Sequence, residues 1–175
     1  MKTVVVYKSI TGFTKKYAEW IAEELGADIF RYEEIGIGKL LEYDTVIYGG
    51  SLHAAGITGV SLITKNFGQL GDKNIIIFVT GASPYKEKLF DEIKERNFKE
   101  EQQRCIKLFY FRGGFDFNKL NFTNKILMTL FKWKLKSMRN KTPEVKGMLV
   151  AYEKPMDFTK KEKIKELITC VNSLK

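Results

Sequence analysis

The 175-residue chain is 44% hydrophobic and 29% charged, a composition typical of one globular domain. No run approaches the roughly 20 uninterrupted apolar residues of a membrane-spanning helix, and no secretory signal precedes the first strand-like run, so we expect a cytoplasmic protein. The formal net charge of +9 predicts an anionic partner, which can be a membrane surface, an acidic protein or a nucleic acid.

The first element is an apolar run that predicts a strand over Thr3–Tyr7. Directly after it comes the segment Ser9-Ile10-Thr11-Gly12-Phe13-Thr14, which we name the phosphate loop. The first amides of a helix have no partners within it, and together with the helix dipole they attract an anion. The glycine lets the backbone approach a ligand closely, and the three hydroxyls are neutral donors. The segment therefore predicts a phosphate site.

Two interpretations of the phosphate loop remain open at this point. It lacks the three glycines of a dinucleotide fingerprint and the Gly-Lys-Ser/Thr ending of a Walker loop, which disfavours NAD and ATP. An ordinary helix start, capped by Thr11 or Thr14, also explains a lone cluster of Ser and Thr residues. The remainder of the chain has to decide between them.

Further strand-like runs alternate with helical stretches, which predicts an α/β fold with a parallel sheet. We place these strands near Asp28–Tyr32, Thr45–Tyr48, Asn74–Val79 and Ile106–Phe111. A helix over Thr14–Leu25 follows the first strand, and the last helix begins at the capping-box pattern Thr159-Lys160-Lys161-Glu162. Five strands with helices on both faces predict a three-layer architecture and a single domain over residues 1–175.

Ligands of an open parallel sheet bind beyond the carboxyl ends of its strands, where the strand order reverses. The phosphate loop follows the first strand. A glycine-rich loop follows the third strand and contains Gly49, Gly50, Ser51, Leu52, His53, Ala54, Ala55 and Gly56. The loop after the fourth strand contains Thr80, Gly81, Ala82, Ser83, Pro84 and Tyr85. Three such loops at one sheet edge suit a flat ring system with a phosphate tail.

The opening sequence Val-Val-Val-Tyr-Lys-Ser-Ile-Thr-Gly-Phe-Thr resembles the flavodoxin pattern of strand, Ser/Thr-x-Thr-Gly-x-Thr and helix that binds the FMN phosphate. Nearly the whole chain is further similar to the flavodoxin-like menaquinone-dependent protoporphyrinogen oxidases. Tyr43–His53 looks like their second flavin loop, and Gly113–Phe117 with the segment after it looks like their inserted helix. The resemblance implies a flavodoxin-like fold with a basic amphipathic insertion at residues 118–139, after strand 5.

The resemblance also implies a role for each of the three loops. The phosphate loop would hold the FMN phosphate, Gly50–Ala54 would line the dimethylbenzene or N5 edge, and Thr80–Tyr85 would hold the pyrimidine edge. His53 is a candidate for contact with the ring and equally for an ordinary surface residue, and Tyr85 either stacks on the ring or starts a helix. The oxidases are expected to carry arginine–tyrosine pairs where this chain has His53-Ala54 and Asp116-Phe117, which bears on the porphyrin and quinone chemistry.

The segment 118–139 is basic, and no acidic residue occurs from Phe117 to Pro143. At 100° per residue, Lys125, Lys132, Lys136 and Arg139 share one helical face, and apolar residues occupy most of the remainder. Such helices are typical of peripheral binding to the inner face of a membrane. The same pattern fits a helix that docks on its own domain and divides its apolar face between the core and a subunit contact.

Three functions are consistent with these patterns. The leading hypothesis is a cytoplasmic FMN-binding protein that transfers electrons between a redox partner protein or quinone and an acceptor. The second is a quinone-dependent protoporphyrinogen dehydrogenase at the membrane surface. The third is a flavin-free module that binds nucleic acid or another anion, although the aromatic residues fit a helical face better than a base-stacking groove.

The two cysteines, Cys105 and Cys170, are isolated in the sequence, without a neighbour at Cys-x-x-Cys spacing. Such thiols usually behave as small hydrophobic residues. We predict Cys105 in a strand and Cys170 in a helix, both buried, and we expect neither a disulfide nor a metal site.

Overall fold

The computed structural model describes residues 1–53, 55–120 and 122–174. Its strands are β1 (Thr3–Lys8), β2 (Asp28–Arg31), β3 (Thr45–His53), β4 (Gly56–Ile57), β5 (Asn74–Gly81), β6 (Lys107–Arg112), β7 (Gly114–Phe115) and β8 (Met156–Asp157). Its helices are α1 (Phe13–Leu25), α2 (Ile37–Leu40), α3 (Ser61–Thr64), α4 (Glu87–Asn97), α5 (Glu100–Cys105), α6 (Phe122–Ser137), α7 (Pro143–Ala151) and α8 (Lys165–Asn172). Short 3-10 turns lie at Tyr32–Glu34, Phe67–Leu70, Phe117–Lys119 and Lys161–Ile164.

The central sheet has the strand order β2–β1–β3–β5–β6, and all four neighbouring pairs are parallel. This confirms the predicted five-stranded parallel sheet of a flavodoxin-like fold. The short strand β4 adds an antiparallel pair to the end of β3, and β7 and β8 form a separate antiparallel ribbon. Because the order reverses between β1 and β3, a crevice is expected beyond the carboxyl ends of these two strands.

Alternating side chains of the strands build one apolar core on each face of the sheet. On one face, Val5 and Ile47 pack with α1 and α8, and Ile21 and Leu167 from these helices are fully buried. On the other face, the core contains Val4, Val6, Val46 and Ile77 from the sheet with Leu40, Ile63 and Ile93 from α2, α3 and α4. The two cores make the three layers that the sequence predicts.

Strand β3 is longer than predicted, since Gly49–His53 continues the strand instead of forming a loop. Parallel partners on both sides hold it, with Gly50 opposite Lys8 and Ser51 opposite Thr80. The glycines reflect packing rather than a turn, because a Cβ at Gly49 would overlap the ring of Phe78.

Two local predictions were wrong. Thr159 does not start the last helix, because its hydroxyl donates to Asp157 Oδ1 at 2.6 Å, and α8 begins only at Lys165 after a 3-10 turn. The two cysteines are not buried. Cys105 is exposed at the end of α5 rather than in a strand, and Cys170 on α8 is half-buried.

The segment between β6 and the last helix, residues 113–158, is named the insert. It contains β7, α6, α7 and β8, of which only α6 was predicted from the sequence. Arg139 lies beyond the end of α6, so the predicted basic face consists of Lys125, Lys132 and Lys136 alone. None of the helices in the described ranges is long and apolar enough to cross a bilayer.

Candidate functional site

The three segments singled out in the sequence line one cavity of about 490 Å³ at the carboxyl edge of the sheet. Their contributions are Ile10, Thr11 and Phe13 from the phosphate loop, Ser51, Leu52 and His53 from the end of β3, and Thr80, Gly81 and Ala82 from the end of β5. The volume falls within the range of roughly 300–1,000 Å³ that is usual for small-molecule sites. The structure therefore brings the predicted loops together where the strand order reverses.

The phosphate loop ends in an uncapped helix start. Gly12 precedes α1 with φ +94°, a left-handed conformation that favours glycine, and no side chain caps the helix. The hydroxyl oxygen of Ser9 accepts the N–H of Gly12 at 3.1 Å, and the first helical hydrogen bond runs from Lys16 N–H to the Gly12 carbonyl at 3.0 Å. The amides before Lys16 are thus oriented toward the space in front of α1, as an anion site requires.

Thr14 links the phosphate loop to the end of β5 instead of facing the cavity as a free donor. Its hydroxyl lies 2.6 Å from the hydroxyl of Thr80, and the two residues are only 1% and 4% exposed. This buried hydrogen bond fixes the distance between two of the three segments.

The Thr14–Thr80 hydrogen bond gives a testable expectation. We expect Thr14→Val and Thr80→Val each to lower the free energy of unfolding by about 2 kcal/mol, because each leaves one buried hydroxyl without a partner. The double variant should lose much less than the sum, since no hydroxyl is then left unpaired. Urea unfolding of the four proteins measures this coupling; strictly additive losses would show that the two hydroxyls do not interact. Thr64→Val, in α3, is a control with little expected change.

Thr58 is bonded to β3, and Asn97 is bonded to the strand β4 that pairs with it. Thr58 Oγ1 accepts the N–H of Ser51 at 3.0 Å, and the Thr58 carbonyl accepts the hydroxyl of Tyr48 at 2.7 Å. The amide of Asn97 accepts from Ile57 N–H at 2.8 Å and donates to the Ala55 carbonyl at 2.7 Å. These bonds fix the β3–β4 hairpin, and with it the cavity wall formed by its first strand.

Tyr110 and Arg112, from β6, hold the loop that follows β5. The Tyr110 hydroxyl donates to the Ser83 carbonyl at 2.7 Å, and Arg112 Nε donates to the Ala82 carbonyl at 3.2 Å. Burial raises the pKa of Tyr110 to about 12, so this donor keeps its proton at physiological pH. The loop backbone at the cavity is therefore anchored to the neighbouring strand.

The fourth wall of the cavity comes from the insert, and none of its residues was predicted to lie at the ligand site. It consists of Gly113, Gly114, Phe115, Leu120, Asn124, Leu127, Met128 and Phe131. A Cβ at Gly114 would meet the Met156 carbonyl and lie 2.6 Å from Phe13 Cζ, so the β7–β8 ribbon and the phosphate loop are in close contact. The amphipathic pattern of 118–139 was visible in the sequence, but the contact of its apolar side with the three loops was not.

The sequence was compared with known protein families. The sequence matches the family model described as Flavodoxin domain over residues 4–142, which include all three predicted segments and α6. The chain belongs to the flavodoxin domain family.

Individual relatives of this flavodoxin domain show the range of similarity. An uncharacterized protein of Methanocaldococcus jannaschii is 30% identical over 126 residues, which cover 66% of this chain and 81% of the relative. The solved Trp repressor binding protein of Bacillus subtilis has a TM-score of 0.47 and 17% identity, over 64% of this chain and 83% of that one. A flavoprotein in complex with FMN from Lactobacillus acidophilus NCFM has a TM-score of 0.41 and 16% identity, over 63% and 91% of the two chains.

Besides Ser9, Gly12 and Thr14 of the phosphate loop, several predicted site residues of this flavodoxin domain lie outside the cavity lining. Gly50 packs against Ile57, and the backbone carbonyl of Ser83 accepts the hydrogen bond from Tyr110. Tyr85 is 58% exposed and contacts Phe90 and Tyr110, with ring centroids 5.6 and 6.2 Å away, so the structure does not bring it to the cavity. Ala54 lies outside the described residues.

The described lining of the cavity is uncharged and largely apolar, with His53 as its titratable side chain. The lysines nearest in sequence to the phosphate loop form ion pairs elsewhere: Lys8 with Glu33 at 3.7 Å, Lys15 with Glu19 at 3.6 Å, and Lys16 with Asp157 at 3.0 Å. An anion bound before α1 would thus rely on neutral donors and the helix dipole. Within the described ranges, no three side chains of His, Cys, Asp or Glu are grouped as a metal site.

Proposed function

We propose that this flavodoxin domain binds one FMN non-covalently in the cavity and transfers electrons between redox partners. The observation that carries the proposal is the convergence of an uncapped helix start and two further strand ends on one uncharged cavity. A phosphate tail matches the first of these features, and a flat, mostly apolar ring matches the others.

The phosphate end of the ligand would be bound by neutral donors. The amides at the start of α1 and the hydroxyl of Thr11, which lines the cavity, are the available groups. Ser9 accepts a hydrogen bond from Gly12 and still has its own proton to donate. The residues present fit a phosphate, because Gly12 leaves open space where any other side chain would begin.

The ring end would lie among apolar side chains. Leu52 and His53 form one wall, and Leu127, Met128 and Phe131 of α6 form the wall contributed by the insert. FMN supplies reversible one- and two-electron transfer when it is bound. The chain contributes orientation and a largely apolar surrounding for the ring.

The redox role is tested on the protein reconstituted with FMN. We expect dithionite to bleach the bound flavin anaerobically, and one-electron acceptors or a soluble quinone to restore its absorption while the flavin stays bound. A flavin that is bound but is not reoxidised by any of these acceptors would contradict an electron-transfer function.

The insert wall favours one second candidate, a quinone-coupled dehydrogenase of a large, mostly apolar substrate such as protoporphyrinogen. Leu120, Leu127 and Phe131 offer an apolar surface beside the place assigned to the ring, which a mere carrier does not require. Turnover of protoporphyrinogen with a quinone acceptor would support the dehydrogenase. A reducible flavoprotein without turnover would support the carrier.

A further inference from the structure

Helix α6 has two separate apolar faces, and only one of them belongs to the cavity. Leu127, Met128 and Phe131 line the cavity, where Leu127 and Phe131 remain 49% and 38% exposed at its opening, and Leu135 on the same side is only 5% exposed. The other face, named the outer stripe, consists of Phe122, Ile126, Leu130 and Trp133, which are 79%, 49%, 55% and 65% exposed. At 100° per residue the outer stripe covers about 80° of the helix surface. Large apolar side chains in such a row usually mark an interaction surface.

Lysines flank the outer stripe on both sides. By the same helical geometry, Lys125, Lys132 and Lys136 lie along one edge, and Lys134 lies along the other. The sequence has no acidic residue from Phe117 to Pro143 that would neutralise them. The surface is therefore an apolar stripe with three lysines along one edge and one lysine along the other.

We propose that the outer stripe lies on an anionic phospholipid surface. Apolar side chains between lysines match the boundary between acyl chains and negatively charged headgroups, to which long lysine side chains can extend. A second copy of this chain is a poor occupant, because two outer stripes in contact would place their lysines together without opposing carboxylates. The charge of the flanking residues thus selects lipid over self-association.

The insert holds α6 in position for this contact. The Tyr152 hydroxyl, after the end of α7, donates to the Met128 carbonyl at 2.9 Å, and Lys132 Nζ lies 5.3 Å from the centre of the Tyr152 ring. The outer stripe and the cavity lining are on different sides of the same helix. Membrane binding would place the cavity wall within about one helix diameter, roughly 10–12 Å, of the lipid, although the docking itself does not depend on a bound flavin.

Tryptophan fluorescence tests the proposal directly. The chain has two tryptophans, so Trp20→Phe leaves Trp133 of the outer stripe as the single emitter. We expect its emission to shift to shorter wavelength with vesicles of phosphatidylcholine and phosphatidylglycerol, and to stay unchanged with phosphatidylcholine alone. No shift with the anionic vesicles, or an equal shift with both, would overturn the proposal.

Charge reversal separates this contact from a general effect of net charge. Each basic residue near an anionic surface adds roughly fivefold in affinity, so Lys125→Glu, Lys134→Glu and Lys136→Glu together should weaken vesicle binding at least about a hundredfold. The exposed residues Lys88, Lys163 and Lys165 give a matched triple variant with the same change in net charge. Equal losses in the two triple variants would overturn the proposal.

Two further measurements distinguish other outcomes. Leu130→Ser should weaken vesicle binding while FMN binding stays unchanged, because Leu130 does not belong to the described cavity lining. Sedimentation that shows a dimer, lost in Leu130→Ser, together with no vesicle binding, would assign the outer stripe to self-association and overturn the proposal. If the unmodified protein does not bind FMN, this result counts against the proposed function and not against the membrane contact.

Discussion

A Gly12→Asp variant is expected to bind FMN about a hundredfold more weakly than a Gly12→Asn variant. Both side chains tolerate the left-handed backbone at φ +94° better than other residues, and no atom lies within 4 Å of the position a Cβ would take. The two variants therefore differ mainly in charge. A carboxylate about 5 Å from one phosphate charge costs about 3 kcal/mol at an effective dielectric constant of about 20, which corresponds to that factor.

Riboflavin, which lacks the phosphate, provides the control ligand for Gly12→Asp. Quenching of flavin fluorescence gives the affinity of each variant for FMN and for riboflavin. We expect the two variants to bind riboflavin alike and to differ only for FMN. If Asp and Asn at position 12 bind FMN equally well, the phosphate does not lie before α1, whatever else the cavity binds.

The second large effect is expected for Gly114→Ala, which should lower the free energy of unfolding by about 3 kcal/mol and weaken FMN binding. A methyl group there would overlap the Met156 carbonyl of β8 and approach the ring of Phe13. Met156 in the paired strand β8 and Phe13 at the start of α1 can move aside only if the backbone shifts. Overpacking of this kind costs about 1–3 kcal/mol. The β7–β8 ribbon would separate and take the insert wall away from the cavity.

Gly147→Ala is the matched control for the insert. Gly147 lies within α7 with open space where its Cβ would be, so alanine should raise stability by about 0.5–1 kcal/mol through helix propensity. Urea unfolding measures both changes, and limited proteolysis between residues 118 and 151 reports the release of the insert. Similar stability of the two variants would show that the ribbon does not hold the insert in place.

The sheet and the phosphate loop were predictable from the sequence because their signals are local. Each strand is a short apolar run, and the turn into α1 contains its own glycine and hydroxyls. The role of Thr14 was not predictable in the same way. Its partner Thr80 is 66 residues away, and only the folded sheet places the two hydroxyls together.

The glycines of β3 led to a wrong prediction of a loop after Tyr48. Gly49 and Gly50 suggested a loop, whereas the structure requires glycine there because Phe78 and Ile57 fill the space of a side chain. Such a requirement arises from residues elsewhere in the chain, so the sequence around the glycines does not contain it. The strand therefore extends to His53, which brings that side chain to the cavity.

In the insert, α7 has a sequence signal that was overlooked, and the β7–β8 pairing has no local sequence signal. Thr142-Pro143 is a favourable start for a helix, and the Thr142 hydroxyl accepts Val145 N–H at 3.3 Å, so α7 could have been predicted. The pairing of Gly114 with Asp157 spans 43 residues and has no local pattern. The sequence allowed for a divided apolar face on α6, but only the fold shows that the inner part of this face lines the cavity.

An equilibrium titration of the purified, flavin-free protein with FMN and with riboflavin, followed by fluorescence and absorption, tests the proposed flavin site. We expect the protein to quench the fluorescence of one FMN per chain and to perturb the flavin absorption spectrum. The affinity for riboflavin should be at least about tenfold weaker than the affinity for FMN, since a charge-assisted phosphate contact is worth at least about 1.4 kcal/mol. FMN that keeps its full fluorescence in the presence of excess protein would show that this cavity is not a flavin site.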